Sequence, residues 1–149
     1  MTKSGGKMFL GEYNHNIDGK GRIIIPSKIR ENLSETFVVT KGLDNCIFLY
    51  NIEDWEELTT KVKALPLTDA SVRKFVRFFF GGASELSIDS QGRILLPTNL
   101  RDFANLKKEV VTVGVSNRAE IWAKDTFDKY SQDNEFDDDL AEKMASLGI

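Results

Sequence analysis

Residues 17–31 read IDGKGRIIIPSKIRE and residues 88–102 read IDSQGRILLPTNLRD, and taking these two stretches as one unit said twice decides the fold. The offset is 71 positions: Ile17, Asp18, Gly21, Arg22, Ile23, Pro26 and Arg30 recur as Ile88, Asp89, Gly92, Arg93, Ile94, Pro97 and Arg101. Most other pairs are conservative, such as Ile24 with Leu95, Ser27 with Thr98 and Ile29 with Leu100. Downstream the echo continues at an offset of 72, where Thr40, Gly42, Asn45, Leu49, Tyr50 and Trp55 answer to Thr112, Gly114, Asn117, Ile121, Trp122 and Phe127. What is duplicated is a Gly-Arg turn between strands. A repeat of this length is a supersecondary unit that needs a neighbour to bury its apolar face.

The turn is Asp18-Gly19-Lys20-Gly21, with glycine free to take positive φ and aspartate able to bond nearby amides. Residues 12–17 and 22–25 on either side read as two strands of a hairpin. Asp18 and Arg22 stand four apart across the loop, as do Asp89 and Arg93. An aspartate placed so can accept backbone N–H bonds and hold the arginine fork, pre-ordering a long side chain. A guanidinium held in this way suits bidentate bonding to guanine O6 and N7 in a major groove, which admits a two-stranded ribbon. Lys20 beside it suits a phosphate. The competing reading is a self-satisfied ion pair that stabilises only the turn, contributing under ~1 kcal/mol when exposed.

Outward from the first turn, Pro26 suits the first turn of a helix that carries Ile29 and Leu33. Residues 37–41 and 47–50 make a second hairpin across Gly42-Leu43-Asp44-Asn45. A helix from Glu53 to Ala64 presents Trp55, Leu58 and Val62 on one face and ends before Pro66. Asp69 is placed to cap the next helix, whose apolar face is Val72, Phe75, Val76 and Phe79 and which stops at Gly81-Gly82. The unit then recurs: strand 83–88, turn, strand 93–96, a helix from Pro97, strands 109–114 and 119–123, and a final helix from Thr126. Phe78-Phe79-Phe80 covers more than one helix face, which points to burial between the halves or at a subunit contact.

Charge is unevenly spread. The chain of 149 residues has a net charge of −3, but residues 125–149 alone carry −6 and residues 1–30 carry +4. A basic front and an acidic end are compatible with a local anion-binding face. The tail NEFDDDLAEK reads as a disordered or loosely helical solvating end, with a self-inhibitory mimic of DNA as the lesser reading. A single cysteine, Cys46, gives no disulfide framework and fits a reducing compartment. No apolar run approaches the ~20 residues of a membrane span, and no signal pattern opens the chain. A cytoplasmic protein is expected.

Other chemistry finds little support. Lys20 between glycines fails the phosphate-loop spacing. His15 is the only histidine and Cys46 has no cysteine partner, so no metal cluster, cofactor site or Cys–His nucleophile is expected. A hydrolase built on Asp18 and Asp89 would lack a convergent base. His15 reads as an ordinary strand histidine rather than a phosphate contact. Arg30 and Arg101 are expected to pair with nearby acids in preference to touching a DNA backbone.

The run MFLGEYNHNIDGKGRIIIPSKIRE, then FVVTKGLDNCIFLY and the Trp55 helix, with a second copy after a Phe-rich GGASE linker, resembles the MraZ family, the two-copy branch of the AbrB/SpoVT swapped-hairpin proteins. The resemblance runs from Met8 to about Tyr130. It implies an α+β fold of internally duplicated swapped-hairpin (AbrB/SpoVT-like) β-barrel halves with short helices. On that division residues 1–7 are a flexible leader or cloning remnant and 8–64 the first repeat. Residues 65–82 are a linker helix, 83–130 the second repeat and 131–149 an acidic tail. The resemblance further implies a bacterial, nucleoid-associated DNA-binding transcriptional regulator, not an enzyme. Such a protein acts at the promoter of the cell-division and cell-wall gene cluster, its own gene included. It binds short guanine-containing direct repeats in double-stranded DNA and assembles as a ring-shaped homo-oligomer. By the same resemblance Lys20 and Arg22 read DNA and Arg93 holds the matching place, with Asp18, Gly21, Asp89 and Gly92 ordering the turns. Ser90-Gln91 replaces Gly19-Lys20 in the second copy and removes a charge. The rival class is a protein-interaction module, antitoxin-like or a scaffold ring, with no base readout.

Overall fold

In the computed structural model, which describes residues 8–149, the first repeat contributes β1 (Phe9–Asn16), β2 (Arg22–Ile24), α1 (Ser27–Arg30), β3 (Thr36–Lys41), β4 (Ile47–Asn51) and α2 (Ile52–Lys63). Helix α3 (Ala70–Gly81) links it to β5 (Ser84–Ser87), β6 (Arg93–Leu95), α4 (Thr98–Phe103), β7 (Glu109–Ser116), β8 (Ala119–Ala123) and α5 (Lys124–Asp133), and α6 (Asp138–Ser146) follows. The leader expected at 1–7 lies outside the described residues. The architecture is mixed α+β, with one six-stranded antiparallel sheet, order β1-β7-β8-β4-β3-β5, and a separate two-stranded ribbon, β2-β6.

Every strand that opens a repeat pairs with the other repeat. β1 runs along β7 from Phe9↔Ser116 to Asn16↔Glu109, and β5 runs along β3 from Thr36↔Ser87 to Val39↔Ser84. The hairpin expected between 12–17 and 22–25 is therefore corrected. The chain does reverse there, held by a single bridge, Ile17↔Ile23, and by the Asp18 amide donating to the Arg22 carbonyl at 2.9 Å. The ladders themselves lie across the two copies. A three-residue strand has one inward side chain, and β2 buries Ile23 directly opposite its twin Ile94, each about 1–2% exposed. Pairing twins seals both apolar faces at once. β4 and β8 also pair across the copies, with Phe48↔Glu120 between the mirror pairs Ile47↔Ile121 and Leu49↔Ala119. A pseudo-twofold axis therefore passes through the ribbon and the sheet centre.

The ladders also correct the repeat offset in one strand. Phe37↔Asn51 and Val110↔Ala123 bound the two sheet hairpins, so β3 maps onto β7 at an offset of 73, while β4 maps onto β8 at 72. The connection between Lys41 and Ile47 holds one residue more than that between Gly114 and Ala119. In the first connection Asp44 and Asn45 both adopt φ of 64°. Thr40 and Thr112 are thus not equivalent, and a one-residue slip sends them to opposite faces. The Thr40 hydroxyl bonds the Phe79 carbonyl on the helix side, whereas Thr112 Oγ1 meets His15 Nε2 at 2.7 Å. Both threonines are buried, and both are satisfied.

Two apolar layers sandwich the sheet. Between sheet and ribbon lie Ile23, Ile25, Ile29, Phe37, Val39, Leu49 and their counterparts Ile94, Leu96, Leu100, Val110 and Ile121. On the far side Phe48, Tyr50, Val111 and Trp122 pack under the helices. Phe79 stacks on both Phe75 and Trp55, and Phe78 meets Phe103 of α4, so the phenylalanine run sits between the two repeats. Asp69 caps α3 by accepting from the Ser71 amide at 2.8 Å. Pro26 and Pro97 stand at the N-cap positions of α1 and α4 rather than inside them. α5 starts two residues ahead of the expected Thr126, directly off β8. The acidic end is helical over α6, capped by Asp137 and with no buried residue.

Candidate nucleic-acid interface

Both turns fold in the same way. Asp18 Oδ1 accepts from the amides of Lys20 and Arg22, each at 2.9 Å, and Oδ2 accepts from Arg22 Nε at 2.7 Å. Asp89 repeats this with Gln91 and Arg93, at 2.8, 2.8 and 2.9 Å. The Arg22 amide bond, followed by the guanidinium, draws the Asp18 carboxyl down to about 2. Asp89 is lowered for the same reasons. Gly21 and Gly92 close the turns at φ of 86° and 77°, a region costly for any side chain.

The ion pairs are side-on through Nε, and no hydrogen bond within the described residues engages the Nη groups of Arg22 or Arg93. The fork is thus fixed at its base and open at its tips. Pairing of Arg22 with Leu95 and of Ile24 with Arg93 puts these four side chains on the outward face of the ribbon, opposite buried Ile23 and Ile94. The two arginines stand two residues apart along the ribbon on neighbouring strands, roughly 8 Å between Cα atoms. Ile24 and Leu95 beside them are 58% and 57% exposed. The duplicated turns thus flank a single small platform with two guanidinium forks at its corners and two aliphatic side chains between them.

The sequence alone does not mark these aliphatics as exposed. An unbroken apolar triplet, Ile23-Ile24-Ile25, does not reveal which residue points out; the Arg22 to Ile24 parity was the available signal. Arg30 and Arg101 also differ from expectation. Arg30 donates to the Ile25 carbonyl at 3.1 Å, and Arg101 to the Leu96 carbonyl and Thr98, each at 2.9 Å, instead of pairing with acids. Each packs against the turn glycine of the other repeat, Arg30 on Gly92 and Arg101 on Gly21, where a Cβ would collide with the guanidinium. The amides of Ile25 and Leu96 donate to the Gly92 and Gly21 carbonyls, both at 2.9 Å. Each turn is therefore buttressed by the opposite copy.

Lys20 is exposed at the first turn, and Gln91 takes its place at the second. His15 is half-buried against Thr112 within the β1–β7 ladder, and burial holds its pKa below the ordinary value. The Cys46 thiol is buried and pushed far up by desolvation, which makes it inert. Both oxygens of Asp18 and of Asp89 accept hydrogen bonds within their own turns. Among the described residues no cluster of histidine, cysteine or acid could hold a metal, and no helix is long and apolar enough to cross a membrane.

Residues 8–78 and 79–147 each match the protein family described as "MraZ protein, putative antitoxin-like". The chain is similar to the transcriptional regulator MraZ of Acetivibrio thermocellus, 56% identical over 143 residues that make up 95% of this chain and 100% of the relative. It is 54% identical over 142 residues to the protein of that name from Clostridium tetani, with 95% and 100% covered. With the relative from Desulforamulus reducens the identity is 55% over 141 residues, covering 94% and 99%.

Proposed function

The chain belongs to the MraZ family, and from that premise we propose that it is a sequence-specific, DNA-binding transcriptional regulator and not an enzyme. The observation that carries this reading is the pair of Nε-anchored, Nη-open arginines on one exposed ribbon. Each fork is held by an aspartate, so little rotamer entropy is lost when it meets a guanine edge. A short two-stranded ribbon fits the width of a major groove, and Ile24 and Leu95 are of the kind that contact a thymine methyl there. Lys20 supplies a phosphate contact that fixes the approach.

One such platform is small, and several acting together gain by effective concentration. The regulator works as a ring-shaped homo-oligomer that sets successive platforms on short guanine-containing direct repeats. These lie in the promoter of the cell-division and cell-wall gene cluster that includes its own gene. Duplexes carrying one, two and four copies of the upstream repeat, titrated by fluorescence anisotropy, test this directly. Affinity should climb by at least tenfold between one copy and four. Equal affinity for all three duplexes contradicts the multivalent mechanism.

A second reading, a protein-binding module, is favoured by one feature. An apolar cleft of about 350 Å³ lies between α2 and α3, lined by Val62, Leu67, Val76 and Phe80. A stoichiometric protein partner retained in the absence of DNA, together with flat anisotropy curves, would support it.

A further inference from the structure

The two turns are alike in geometry and unlike in their surroundings, and the difference comes from strand exchange. Because β1 pairs with β7, the residues flanking the first turn belong to the second repeat: Ile17, just before Asp18, donates its amide to the Lys108 carbonyl at 2.8 Å. Lys107, Lys108 and Glu109 therefore lie beside the first turn. At the structural offset of 73, the matching residues are Ser34, Glu35 and Thr36, and the β3–β5 ladder, ending at Thr36↔Ser87, sets them beside the second turn. Lys108 and Glu35 are both exposed. With the turn residues and the buttressing arginine included, the first turn gathers Lys20, Arg22, Arg101, Lys107 and Lys108 against Asp18 and Glu109. The second gathers Arg93 and Arg30 against Asp89 and Glu35. With Asp125, the partner of Lys107, counted as well, the side chains gathered at the first turn sum to a formal charge of +2, and those at the second are neutral.

Among the lysines at this edge, Lys107 is paired with Asp125 at 3.5 Å and Lys124 with Asp128 at 2.8 Å. Lys108 has no ion pair among the described residues. We propose that Lys108, delivered across the swapped strands by the second repeat, is a DNA-phosphate contact of the first turn, and that Glu35 in the matching place repels the backbone at the second. This rests on the DNA-binding reading above. It assigns the two turns unequal work: the first turn grips the duplex, while the second presents Arg93 from a neutral setting. The subunit thus has a built-in polarity on DNA, because its two faces do not attract the phosphate rails equally.

The test is anisotropy on the full chain with two fluorescent duplexes, the sequence upstream of its own gene and a scrambled version of it, between about 50 and 200 mM salt. A lysine that only neutralises a phosphate contributes nearly one to the logarithmic salt slope and does not read bases. Lys108→Ala should weaken both duplexes by a common factor of about threefold or more. It should make the salt dependence shallower by about one for each engaged subunit and leave the ratio between duplexes unchanged. Glu35→Lys should tighten both. Arg22→Ala is the companion variant and should abolish the ratio. Wild-type affinity and slope in Lys108→Ala, in an experiment where Arg22→Ala still loses the preference, overturns the phosphate contact and leaves the DNA reading standing. No gain in Glu35→Lys overturns the repulsive role of Glu35. If wild type binds neither duplex, the DNA reading falls and this inference with it.

Discussion

Asp18 is where the chemistry of the turn is concentrated. One carboxylate oxygen gathers two amides and the other gathers a guanidinium, so the charge that the loop needs is supplied from within the loop. Because the folded pKa, about 2, lies below the ordinary 3.8, the ionised carboxylate stabilises the turn above pH 3.8, and this is lost as pH falls through about 2. A carboxyl-carbon NMR titration should therefore show Asp18 with a midpoint near 2. In Arg22→Ala the midpoint should remain depressed, since the residue-22 amide is the largest cause and survives the substitution. An ordinary midpoint in the wild type would contradict this geometry. At this scale the Asp-x-x-x-Arg spacing and both glycines are legible because each interaction closes within four residues. Ile24, Leu95 and Lys108 are not, because their roles depend on what faces them from the other copy.

At the scale of elements, local signals gave the strands and helices and failed on their partners. Turn chemistry at Asp18-Gly19-Lys20-Gly21 dictates a chain reversal, and a reversal between two apolar runs reads as a hairpin. The actual ladders join residues about 70 apart for β2 and about a hundred apart for β1, such as His15 with Val110. What decides this is the burial of single inward side chains, and Ile23 finds its equal in Ile94. The same limit explains the slip in β3 and β7. Identity favoured aligning Thr40 with Thr112, while the pleat places Val39 with Thr112. One added residue in the Gly42–Cys46 connection absorbs the difference through the left-handed φ of Asp44 and Asn45. Helix α3 was readable in full, since its Asp69 cap, apolar face and Gly81-Gly82 end are all local. The acidic end folds as α6, but its lack of any buried residue agrees with a solvating role.

The whole molecule is held by exchange, with each repeat completing the other's sheet and buttressing the other's turn. An isolated first repeat with its linker helix, residues 8–82, would leave β1 and β3 without β7 and β5 and would expose Ile23. In sedimentation and circular dichroism it should be unfolded, or folded only as a homodimer in which a second copy supplies the missing strands. A folded monomer would contradict the interlaced architecture. Exchange also brings Arg22 and Arg93 onto one ribbon, so their contributions can be separated by single substitutions that remove one guanidinium each while the amide bonds of Asp18 and Asp89 and the core stay in place. The decisive measurement is the affinity of wild type, Arg22→Ala and Arg93→Ala for the DNA upstream of this gene against scrambled DNA, with folding checked for each. The expected result is a preference of wild type for the upstream sequence that Arg22→Ala loses and Arg93→Ala only reduces. Variants that both bind like wild type would contradict base readout by the ribbon and return the turns to a purely structural role.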